Sequence, residues 1–165
     1  MEARIICFDP VAEADAQLLI LGTMPSVESL RQQFYYSHPR NAFWPIMAEV
    51  LGEQTPQTIK EKKQLLIRHG IALWDVAHSC VRPGSLDSDI RDVQPNDFAM
   101  LFARCGKIRK IIFNGATAQA LFARKVGAMP RGCVAERMPS TSPAYTLRFE
   151  RKLAAWRSGM EGYYV

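Results

Sequence analysis

Three short apolar runs constrain this chain more than any other feature: AQLLILG (16–22), IALWDV (71–76) and KIIFNG (110–115). Each is continuously apolar at its centre and ends at glycine or in polar residues, as strands buried on both faces do. Helix-patterned segments separate them. VESLRQQF follows the first run, with Ser26 placed as its N-cap. FWPIMAEVLG (43–52) has apolar residues at helical spacing and closes on Gly52, and a further helix is expected from about Pro56 to His69. PNDFAMLFARCG, with Asn96 or Asp97 as cap, ATAQALFARKVG and the basic RFERKLAAWRSGM complete the helices; CVAERM is a further strand. This alternation predicts an α/β fold, a three-layer α/β/α sandwich with a short, mainly parallel central sheet. With no internal repeat and no linker, one domain over 1–165 is expected.

In such sheets ligands bind beyond the carboxyl ends of the strands. Three expected strand ends carry polar or turn-rich sequence, GTMPS, WDVAHSC and MPSTSPA. The polar stretch AHSCVRPGSLDSDIRDV (77–93) reads as a long loop, of the kind that often carries function.

Charge narrows the partners. Residues 1–97 carry nine Lys and Arg against thirteen Asp and Glu, a net of −4; residues 98–165 carry twelve against three, a net of +9. A basic half of this kind suits a polyanion, with a solvated face the simpler alternative. The cysteines, Cys7, Cys80, Cys105 and Cys133, are far apart without a C-x-x-C pair, so reduced thiols and no metal or cluster are expected. No apolar run approaches the ~20 residues that cross a bilayer. MEARIICFDP, acidic at position 2, does not read as a signal peptide, so a cytoplasmic location is expected.

Several side chains are placed for chemistry, each with a structural alternative. Gly22 permits close backbone approach, and the helix after GTMPS could offer amides to an anion, although no Walker or G-x-G-x-x-G pattern is present. Asn41, in FYYSHPRNAFW, is either the cap of the next helix or an amide aimed into a pocket. His38, an isolated histidine, reads as structural or catalytic. Of the adjacent Tyr35 and Tyr36, one packs in the core while the other offers its face to a ligand. Asp75 at a strand end either reads a ligand N–H, acts as a base or caps a turn. Ser140, Thr141 and Ser142 lie between two prolines, flanked by Arg137, Arg148, Arg151 and Lys152, and suit phosphate contacts or a surface turn.

Taken in order, GTMPS, FYYSHPRNAFW and MPSTSPA resemble the motifs of the uracil-DNA glycosylase superfamily over about residues 17–157, and most nearly those of its hypoxanthine-DNA glycosylase branch, family 6. Two positions depart from the superfamily pattern. Met24 stands where many members carry the Asn or Asp that positions water, and Met138 where many carry a His or Asn that stabilises the leaving base. The resemblance implies that Asn41 takes the catalytic role, orienting water or steadying the departing base. It implies that Tyr36 stacks on a flipped base and that Asp75, with Gly22, Thr23 and Met24, borders it. Ser26, His38, Ser140, Thr141, Ser142 and Arg148 would contact DNA, and one of Ser142 to Tyr145 would fill the gap in the duplex.

The implied activity is excision of deaminated bases, hypoxanthine first and uracil second, by hydrolysis of the N-glycosidic bond after base flipping. The sequence shows no Lys nucleophile, so a monofunctional enzyme without cofactor is expected. It would act as a monomer on double-stranded DNA containing a deaminated base. A mismatch-type uracil-DNA glycosylase, a non-catalytic DNA-binding member and, more remotely, a small-molecule hydrolase or transferase remain as alternatives.

Overall fold

The computed structural model describes residues 3–165. Met1 and Glu2, on which the reading of the N-terminus partly rests, lie outside the described residues. Four strands form a parallel sheet in the order β3-β2-β6-β7: β2 (Leu18–Gly22), β3 (Ile71–Asp75), β6 (Lys110–Asn114) and β7 (Val134–Met138). The first three are buried along their whole length, which is why they read as unbroken apolar runs. β7 is an edge strand, exposed except at Met138.

Six helices surround the sheet: α1 (Val27–Gln32), α2 (Phe43–Leu51), α3 (Ile59–Arg68), α4 (Phe98–Arg104), α5 (Ala116–Lys125) and α6 (Phe149–Met160). The crossovers from β2 to β3 and from β6 to β7 run in opposite directions along the sheet, and the right-handed rule for parallel connections then puts α1–α3 on one face and α5 on the other. Side-chain contacts agree. Phe98 of α4 meets Phe122 of α5 edge-on at 5.3 Å, and Phe43 of α2 meets Trp156 of α6 at 6.0 Å. The chain changes winding direction between β2 and β6, so the carboxyl ends of those strands open the crevice where doubly wound folds bind ligands.

The expected caps are present. The Ser26 hydroxyl accepts from the Ser29 amide at 3.1 Å, and Asp97, not Asn96, caps α4 through the Met100 amide at 3.0 Å. The third helix begins at Ile59, behind Thr58, which accepts from the Glu61 amide.

The stretch 77–93 corrects the sequence reading. It contains β4 (Ala77–Val81) and the start of β5 (Arg91–Pro95), which pair antiparallel and, with β1 (Arg4–Ile6), build a second, three-stranded sheet. Register shifts between Ala77 and Ser79 and between Ser79 and Val81 break the alternation that would have revealed the strands. Only residues 82–90 between them are loop, including a 3₁₀ turn at Asp87–Asp89.

Candidate active site

The crevice at the strand ends is a cavity of about 310 Å³. Gly22 from β2, Asp75 from β3, Asn114 from β6 and Ser140–Ser142 after β7 all border it. The turn after β2 adds Thr23, Met24 and Ser26, and the segment before α2 adds Tyr36 and Asn41. Residues far apart in sequence thus meet because parallel strands deliver their carboxyl ends to one side.

Gly22 is required by close approach. A Cβ there would lie 2.5 Å from Asp75 Oδ1 and 2.5 Å from the Tyr36 hydroxyl, so the two side chains share the space over its Cα. Asp75 is 2% exposed, and its Oδ2 has no hydrogen-bond partner among the described residues. Burial, reinforced by Asp87 and opposed by Arg82, pushes its carboxyl up to about 8. At neutral pH the group is a carboxylic acid, able to donate as well as accept.

Tyr36 stands with φ at 53°, a left-handed conformation that costs a bulky residue ~1–3 kcal/mol. Its ring stacks on Phe43 with centroids 4.3 Å apart. Its buried hydroxyl has no partner at full hydrogen-bond geometry among the described residues, and burial, with Asp75 adding to it and nearby Asn114 opposing, raises its pKa. The two tyrosines do diverge, through this backbone twist rather than an extended chain, although both border the cavity. Tyr35 is buried, donates to the Asp9 carbonyl at 2.8 Å and accepts the Trp44 indole N–H on its own carbonyl at 3.0 Å.

Asn41 is not the N-cap of α2, which is Ala42, but it supports the helix start and also borders the cavity. Its Oδ1 accepts from the Phe43 amide at 2.9 Å, serving a free N–H at the start of α2. That bond identifies the oxygen, so the atom left to the cavity is Nδ2, a donor.

The Ser-Thr-Ser loop is braced from three directions. Asn114 accepts the Thr141 amide and donates to the Thr141 hydroxyl, both at 2.9 Å. The Thr141 carbonyl accepts the Ala42 amide at 3.0 Å, joining this loop to the Asn41 segment. From α6, Lys152 donates to the Ser142 carbonyl at 3.0 Å and the Trp156 indole to the Pro139 carbonyl at 2.9 Å. The Ser140 and Ser142 hydroxyls accept from amides within the loop, which leaves their own O–H groups to donate outward.

Some expectations move. His38 and Arg148 do not border the cavity: His38 Nδ1 accepts the Arg40 amide at 3.0 Å, and Arg148 precedes α6 on the surface. α1 is no anion site, because its Val27 and Ser29 amides are taken by the Ser85 and Ser26 hydroxyls and the helix spans six residues. Met24 does border the cavity, whereas Met138 faces α6, where a Cβ on Gly159 would come within 2.7 Å of its Sδ and Cε. Asn114 and Asp87 were not singled out from the sequence. Asn114 carries the signal that revealed Asp75, a polar residue closing a buried strand, while Asp87 lay unmarked in a long polar stretch.

Among the described residues no three His, Cys, Asp or Glu side chains group to hold a metal, and no helix is long and apolar enough to cross a membrane. The model of the Uracil DNA glycosylase superfamily matches residues 9–158. The chain belongs to this superfamily. A protein named hypoxanthine DNA glycosylase from Methanosarcina acetivorans is 42% identical to this superfamily member over 112 residues, 67% of this chain and 71% of that one. A protein of the same name from Methanosarcina barkeri is 36% identical over 110 residues, covering 66% and 69%. A Methanosarcina acetivorans protein solved by solution NMR as a candidate uracil DNA glycosylase superposes with a TM-score of 0.77 at 33% identity, covering 94% of this chain and 98% of its own. The chain is accordingly a DNA glycosylase, and its substrate is DNA.

Proposed function

We propose that this glycosylase removes hypoxanthine from deoxyinosine in double-stranded DNA, with uracil as a second substrate. The observation that carries the reading is the joint placement of Asn41 Nδ2 and the protonated Asp75 carboxyl on one cavity of base-sized reach. Hypoxanthine presents an N–H beside a C=O. A neutral carboxyl accepts from the first and donates to the second, and uracil carries the same pair of groups. The names of the two Methanosarcina relatives favour the purine.

Bond breaking follows from these positions. The flipped base enters toward Asp75, with Tyr36 against its face. As the C1′–N bond lengthens, electron density collects on the base while the sugar gains oxocarbenium character. Asn41 Nδ2 donates to that density, which is greater in the transition state than in the ground state, and so lowers the barrier. Ser140 and Ser142 direct their hydroxyls to the flanking phosphates. The basic carboxyl-terminal half, with Arg148 and His38 outside the cavity, adds affinity for duplex DNA. The reading is completed by a monomer acting in the cytoplasm without a cofactor.

Duplex oligonucleotides carrying one deoxyinosine or one deoxyuridine, incubated with excess enzyme and then hot alkali, test it. Strand breakage at deoxyinosine supports the proposal; intact strands for both overturn it.

A further inference from the structure

Hydrolysis requires a group that accepts the proton of the attacking water. The titratable side chains bordering the cavity are Tyr35, Tyr36, Tyr145, Asp75 and Asp87. Phenols are poor bases near neutral pH, and Asp75 already holds a proton deep in the cavity. Asn41 is not basic, and the thioether of Met24 accepts no proton. Asp87 is what remains.

We propose that Asp87 is the catalytic base of this enzyme: its carboxylate takes a proton from the water that attacks C1′. The proposal rests on the reading of the chain as a hydrolytic hypoxanthine-DNA glycosylase. Depth supports the assignment. Asp75 is almost wholly buried, whereas Asp87 borders the same cavity as an exposed residue whose carboxyl is part-buried against Thr23. A nucleotide that enters base first leaves its sugar at the mouth, so the two carboxyls face opposite ends of the bond that breaks.

The loop that carries Asp87 is fastened to the turn after β2. Thr23 donates its hydroxyl to Asp87 Oδ2 at 3.3 Å, and Ser85 accepts the Val27 amide at 2.9 Å. Arg82 donates to the Gly84 and Pro25 carbonyls, bridging loop and turn. With Oδ2 engaged by Thr23, the proton goes to Oδ1, which accepts no hydrogen bond among the described residues. The charged and titratable groups around Asp87 are Asp75 on β3, Cys80 on β4, Arg82 after β4, Tyr36 before α2 and Arg124 on α5. Burial of the carboxyl raises the Asp87 pKa and makes it the stronger base, while Arg82 and the Thr23 hydroxyl limit the rise.

The step balances. Water loses one proton to Asp87 as its oxygen bonds to C1′. The C1′–N bond electrons leave with the base, which takes the proton of Asp75. The products are an abasic sugar and neutral hypoxanthine, and solvent returns the proton from Asp87 to Asp75.

Single-turnover excision of deoxyinosine from a duplex, by the full chain and its Asp87→Asn and Asp87→Ala variants across pH 5–9, tests the assignment. Both variants should bind the duplex within about threefold of the parent and excise about 100-fold more slowly or worse. The acidic limb of the parent's pH profile should vanish in Asp87→Asn, and formate should restore part of the rate of Asp87→Ala. Rates within threefold of the parent overturn the proposal. So does a loss that is parallel at every pH and unmoved by formate, which marks a purely structural carboxylate. If the parent itself leaves deoxyinosine intact, the functional reading fails first and this inference falls with it; a parent that cuts beside variants that cut equally well removes the inference alone.

Discussion

Asn114 grips Thr141 twice, accepting its amide and donating to its hydroxyl at 2.9 Å each. One strand-end side chain thereby fixes the loop that follows the next strand, and through the Thr141 carbonyl it also fixes the segment bearing Asn41.

Asn114→Ala strands a buried amide and a buried hydroxyl, which costs ~1–3 kcal/mol for each unsatisfied group. The variant should melt several degrees below the parent, and the Thr141 amide should exchange with deuterium much faster. Unchanged exchange at Thr141 would show that α6 alone holds the loop.

Asn41→Asp separates the two uses of one side chain. The carboxylate still accepts the Phe43 amide and suits a helix N-terminus, so thermal stability should stay close to the parent's. The donor facing the cavity is gone, and excision should fall about 100-fold. Asn41→Ala should lose both, with about 1 kcal/mol of stability. Equal activity in the parent and Asn41→Asp would remove Asn41 from the chemistry.

Asp75 makes stability depend on pH in a direction opposite to most carboxylates. Its ordinary value is 3.8 and its folded value about 8, so between these the folded chain holds a proton that the unfolded chain has released. Fewer protons on the unfolded state mean that stability falls as pH rises through that window, by at most ~1.4 kcal/mol per pH unit. Asp75→Asn cannot titrate. Its melting temperature relative to the parent should therefore climb by several degrees between pH 5 and pH 8, and a constant difference would refute the protonated carboxyl.

Arg148 lies on the surface beside Glu150, with a side chain 82% exposed. If it meets a phosphate, Arg148→Ala should weaken binding of any duplex by a similar factor and lower the slope of log affinity against log salt by about one. An unaltered slope would place Arg148 off the DNA path.

The central sheet was legible because β2, β3 and β6 are buried on both faces, and full burial demands unbroken apolar sequence. β4 and β5 were not, because bulges cancel alternation and β5 is mostly exposed. The site followed the same division. Gly22, Asp75 and Ser140–Ser142 could be found because a parallel sheet fixes where strand ends point. Asp87 could not, because its position depends on Arg82, Ser85 and Thr23 closing a nine-residue loop, contacts with no local signature. The direction of a side chain next to a motif was equally hidden. Met24 and Met138 look alike in sequence, yet one borders the cavity and the other packs against α6.

That packing of Met138 into the notch at Gly159 fixes the direction of the side chain at 138. A polar side chain placed there in the same direction would lie against α6 and not in the cavity. Turning it toward the cavity calls for coordinated change in β7 and α6, so van der Waals contact, and not residue type alone, decides what this strand end can offer the site.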